Sequence, residues 1–138
     1  MSAAMGILTF YLAEQGRFKE ALQQGREALH KMEELGNGLQ ACETHAVMAT
    51  ILVDLGPQHL HEAQAHAEAS HSIAHRVGAK RVVGYSLLAE ARVALARGDK
   101  LLAKTRAELA GQIFEACRAN WYLRKARNFL NEVRAADS

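Results

Sequence analysis

The sequence predicts an all-α chain built from antiparallel helical hairpins, and three observations carry that prediction. Alanine fills 26 of the 138 positions, proline occurs once, at Pro57, and there are only eight aromatic residues. Apolar residues recur at three- and four-residue spacing, the period of a helix and not of a strand. Turn points recur as well: Gly16, Gly56 and Gly98 close one set of apolar-periodic segments, and Gly36, Gly78 and Arg118 close another. An antiparallel sandwich would need β-branched and aromatic residues and many more turns.

The elements follow in order. Helices are expected near 3–15, 18–35, 38–55, 59–77, 80–97, 100–117 and 120–136, with ends uncertain by about two to four residues. The second carries its apolar set at Phe18, Ala21, Leu22, Ala28, Leu29, Met32 and Leu35. The fourth has Leu60, Ala63, Ala67, Ile73, Ala74 and Val77, and the sixth has Leu102, Leu109, Ala110, Ile113, Phe114 and Cys117. Pro57 suits a helix start, where its missing N–H costs nothing. Asp99 after Gly98 is an expected N-cap. The last helix has a stripe at Leu123, Ala126, Leu130 and Val133 and a polar outer face, as an end helix needs. Met1 to Gly6 offers no cap.

Small residues hold the same offsets in three segments: Ala21, Ala63 and Ala103; Gly25, Ala67 and Ala107; Ala28, Ser70 and Ala110. Small side chains at fixed positions let two helix backbones come close. The chain therefore divides into one domain, 1–138, with repeats near 1–36, 37–78 and 79–118 and a capping helix over 119–138.

Charge is uneven. Residues 1–70 carry four Lys/Arg against nine Asp/Glu, and residues 71–138 carry thirteen against six. Basic residues such as Arg92, Arg97 and Lys104 are spread over different helices with no aromatic platform between them, so direct nucleic-acid binding is not expected. No run of eighteen apolar residues spans a membrane. No basic segment precedes the apolar N-terminal stretch as in a signal peptide. Two cysteines are too few for a disulfide framework, which points to a reduced, cytoplasmic setting.

Chemistry is sparse. There is no GxGxxG, P-loop or GxSxG. Glu33 and Glu34 are adjacent and point to different sides of a helix, so they make no acid–base pair. Cys42 and Cys117 lie at apolar-periodic positions, where a buried, inert thiol is expected. His71 and His75, at i, i+4, share a helix face, and Cys42 with His45 is a second candidate pair. A tight site needs three or four convergent ligands, and HEAQAHAEASHSIAH supplies neither HExxH nor CxxC, so no cofactor and no resident metal are expected. The chain is not expected to be an enzyme.

The glycine, the alanine five residues later and the small residue seven beyond that resemble the tetratricopeptide repeat. They read Gly16, Ala21, Ala28 and Gly98, Ala103, Ala110, while Gly56, Ala63, Ser70 carries two extra residues in its turn. The longer period, with EALHKMEELGN and SHSIAHRVGAKRVVGYSLLAEARVALARGD, resembles the C-terminal arrays of bacterial STAND-type ATPases, including LuxR-type and cyclase-linked regulators. The sequence departs from the motif at its fourth position, where Met5, His45 and Leu87 replace tryptophan. The resemblance implies a right-handed α-solenoid of about three and a half hairpins. It also implies a scaffold or sensor module that takes a peptide or partner helix on the concave face of its first helices. In the repeat register that face holds Phe10, Ala13 and Glu14; Glu43, Ala46, Thr50, Val53 and Asp54; Tyr85, Leu88, Arg92 and Leu95; and Lys125, Asn128 and Glu132. The Lys/Asn pattern that clamps a C-terminal carboxylate is missing, with Ala46 and Thr50 in its place. Two further readings stand beside this one. One is a self-assembling structural protein that forms homo-oligomers through exposed end helices. The other is a metal-responsive module using the histidines between His59 and His75.

Overall fold

Six residues in the left-handed region of backbone space set the rhythm of the chain: Gly16, Gly36, Gly56, Gly78, Gly98 and Arg118, with φ between 58° and 126°. These are the six turn points expected from the sequence. The computed structural model describes residue 9 and residues 11–136, so most of the first expected helix, 3–15, lies outside the described residues. The described end of that helix, α1, stops at residue 14. It is followed by α2 (Phe18–Leu35), α3 (Gly38–Leu55), one 3-10 turn (Pro57–His59), α4 (Leu60–Val77), α5 (Lys80–Ala96), α6 (Lys100–Ala116) and α7 (Asn120–Ala136). No strand occurs among the described residues, and no helix there is long and apolar enough to cross a membrane.

Local chemistry explains the ends. Four of the six turns share one pattern, in which the left-handed residue donates three residues back and its successor five back. Gly36 donates to the Glu33 carbonyl at 3.3 Å and Asn37 to Met32 at 2.9 Å; Arg118 donates to Glu115 at 3.1 Å and Ala119 to Phe114 at 2.8 Å. Arg118 completes the same motif as the glycines despite its Cβ. At the starts, Asp99 Oδ1 accepts from the Leu102 N–H at 3.1 Å, as expected, and Asn37 Oδ1 accepts from Gln40 at 3.2 Å. Pro57 opens the 3-10 turn that leads into α4.

Packing follows the small residues. Ala21, Ala63, Ala103, Ala28, Ser70 and Ala110 are completely buried, and Gly25, Ala67 and Ala107 are buried with them. α3 packs on α5, and α5 on α7, forming an inner layer; α2, α4 and α6 pack against the odd-numbered helices beside them. The layers differ in what they bury. The core face of α4 is only Ala63, Ala67, Ser70 and Ala74, whereas α5 buries ten residues. Gly84 belongs to this fit, because a Cβ there would come within 2.6 Å of the Phe114 ring.

Two expectations are corrected. Leu35, Val77, Leu102 and Leu109, counted in apolar stripes, are 69%, 41%, 39% and 42% exposed. They flank the strips of small residues that make contact, and α2, α4 and α6 form the outer layer, covered on one side only. Cys117 is exposed, while Cys42 is buried. α6 stops at Ala116, so Cys117 falls in the terminal turn instead of on the helix face.

Candidate functional site

The inner layer curls far enough for its first and last helices to meet. Glu14 at the end of α1 accepts from Lys125 of α7 at 3.1 Å, across 111 residues of sequence. Beneath this ion pair lies a groove of about 250 Å³ lined by α1, α3, α5 and α7, with Phe18 from the start of α2.

Glu14, Glu43, Thr50, Asp54, Tyr85, Leu88, Arg92 and Lys125 all line the groove, together with Ala13 and Ala46. Phe10 lies outside the described residues. Val53 and Leu95 pack against the core rather than lining the groove, and Asn128 is exposed on α7 away from it. Tyr85 and Leu88 are only 8% and 7% exposed, so they form the floor and not a presented surface. Sequence reasoning missed Trp121 and Tyr122, which supply the aromatic wall. They stand four and three residues before Lys125, on the same face of α7, and that spacing is the signal that could have found them.

The wall is a connected aromatic cluster. Tyr85 and Tyr122 have ring centroids 4.3 Å apart, Phe114 backs Tyr122 at 5.4 Å, and Trp121 meets Tyr122 edge-on at 4.7 Å. Lys125 Nζ sits 4.5 Å from the Trp121 ring centroid, within range of a cation–π contact. Charges of both signs are sunk into this wall. Arg92 lies over the Phe129 ring at 5.4 Å; burial weakens its hold on its proton, and Glu132 and Asp54 oppose that shift. Burial also raises the Asp54 and Glu43 carboxyls, offset by Arg92 and Arg81 respectively. The Tyr122 phenol is pushed well up by burial, with Tyr85 and Glu43 adding to it. Such a surface can hold an apolar anchor and set its register by charge.

The other candidate residues separate. Cys42 does not meet His45: its thiol lies 3.2 Å from the Ser70 hydroxyl, and burial raises its pKa. His45 instead meets His66 across the α3–α4 hairpin, Nδ1 to Nδ1, at 2.8 Å. His71 and His75 do come together on α4, with His71 beside Glu90 of α5. Among the described residues no three His, Cys, Asp or Glu side chains gather as a metal-ligand set.

No protein-family model, no curated protein and no solved structure matches the chain.

Proposed function

We propose that the chain is a non-catalytic protein–protein interaction module of the tetratricopeptide type, a right-handed solenoid whose inner groove takes an anchor from a partner peptide or helix. The reading extends to its setting: a scaffold or sensor array of a bacterial signalling or transcription regulator, working in the cytoplasm. One observation carries it. Residues picked from four helices by repeat register alone line a single groove. That groove is somewhat smaller than the roughly 300–1,000 Å³ of clefts that enclose a drug-sized ligand, so it suits a few side chains of a larger partner. Aromatic walls with a recessed Arg92 and Asp54 fit an amphipathic segment.

Trp121 is the sole tryptophan and lines the groove, so its fluorescence reports occupancy. Peptides selected from a displayed library of amphipathic segments should change that signal on binding. Thr50→Arg, which fills the groove, and Arg92→Gln should each weaken binding at least about tenfold, roughly the 1.4 kcal/mol of one anchoring contact. Lys104→Glu on α6 should leave it unchanged. Selected peptides that bind Thr50→Arg as well as the parent would overturn the reading.

A further inference from the structure

Outside the groove, two imidazoles one turn apart on α4 converge. His71 Nε2 and His75 Nε2 are 2.9 Å apart, with their rings at 78°. Behind His71 stands a carboxylate from the next helix: His71 Nδ1 lies 2.9 Å from Glu90 Oε1 of α5. Arg106 of α6 approaches the other oxygen of Glu90 at 4.0 Å. Side chains of three helices thus meet around one ring. His71 Nδ1 and Glu90 Oε1 are close but not aligned for a hydrogen bond, and the other ring nitrogen, Nε2, faces His75. A carboxylate beside the far nitrogen is a common outer partner of a metal-ligating histidine.

The ligand type narrows the metal. The 2.9 Å separation is that of a hydrogen bond between the two rings, and it places both nitrogens within reach of one ion. Cu(II) binds nitrogen ligands most strongly among the divalent first-row metals and takes neighbouring equatorial nitrogens in its tetragonal geometry.

We propose that His71 and His75 form an exchangeable Cu(II) site, contributing two neighbouring equatorial nitrogens, with the Glu90 carboxylate close behind His71. Binding replaces the proton shared between the two Nε2 atoms. That proton passes through solvent to the Nδ1 of the ring that gave it up, so both imidazoles stay neutral and the metal charge stays +2. No third protein ligand joins them among the described residues, so water fills the remaining positions. Both rings border solvent, which leaves room for that water. The pair His45–His66 is also close, but it is enclosed between α3 and α4, where hydrated metal has no entry of this kind.

The experiment is a titration of the full, tag-free chain with Cu(II) in a non-coordinating buffer, read by electron paramagnetic resonance. The expected result is one equivalent with a tetragonal signal and hyperfine structure from two nitrogens. His71→Ala and His75→Ala should each weaken binding at least tenfold. Glu90→Gln should weaken it by less than either alanine variant and keep the stoichiometry. His61→Ala should change nothing. On the unmodified chain, substoichiometric Cu(II) should broaden the ring resonances of His71 and His75 before those of any other histidine, a reading independent of whether a variant folds. Broadening that begins at His45 and His66, or binding that survives both alanine variants, would overturn the proposal.

Discussion

His45 and His66 show how one pair of side chains ties stability to pH. Burial pushes His45 down to about 4, with His66 adding to the shift, and burial lowers His66 as well. Their nitrogens are 2.8 Å apart, so the neutral pair shares one proton, and protonating the accepting nitrogen would set two N–H donors against each other. The sign follows from linkage. Below the ordinary pKa of about 6.5, the unfolded chain takes up protons that the folded chain refuses. Stability should therefore fall as pH drops from about 6.5 to about 4, by roughly 2–3 kcal/mol from His45. Glu43 and Asp54 work in the opposite direction, because their raised carboxyls bind protons more readily when folded. The comparison that isolates the histidines is the urea midpoint at pH 7 and pH 4.5 in the parent chain and in His45→Asn. The parent should lose more; equal losses would contradict the account.

At the scale of elements, the helix ends and the hairpin contacts were legible because both are local. A glycine in the left-handed region and a small residue at a fixed offset state their purpose within a few residues of sequence. Arg118 was legible only through the repeat spacing, since nothing in its side chain favours φ of 58°. For a residue other than glycine that conformation costs about 1–2 kcal/mol. Glycine would recover most of it, at an entropic cost of roughly 0.5–1 kcal/mol. Arg118→Gly should accordingly stabilise the chain by about 0.5–1 kcal/mol, seen as a higher urea midpoint with an unchanged slope; an unchanged or lower midpoint would refute the turn assignment. The outer leucines were not legible. Periodicity says which stripe of α6 is apolar, but not whether another layer covers it, and Leu109 stays 42% exposed for want of one.

For the whole molecule, the groove was half legible. Repeat register named the residues on α3 and α5, because those helices stack on each other directly. On α7 it named Lys125 but passed over Trp121 and Tyr122, one turn earlier on the same face, because how much of that face reaches the groove depends on how tightly the stack curls, which is the accumulated sum of small rotations between repeats. The Glu14–Lys125 contact is where that sum becomes visible. Both partners are partly exposed, so the pair is worth only about 0.2–1 kcal/mol, and its role is geometric. Lys125→Glu places like charges across the groove mouth and removes the cation from Trp121. The thermal midpoint should move little, while acrylamide should quench Trp121 more readily. Combining that change with Glu14→Lys should restore the parent quenching; a double variant as open as the single one would show that the contact does not hold the mouth.

A stack of repeats is ordinarily modular, and a hairpin can be added or removed without disturbing distant ones. The meeting of α1 with α7 removes that freedom. The cup closes only because the span from the first to the fourth inner helix has one definite length. An extra hairpin inserted between them would carry Lys125 away from Glu14 and turn the enclosed cleft into an open trough, even with every side chain of the wall retained. Repeat number, a quantity that no single residue encodes, is thus itself a determinant of what the groove can hold.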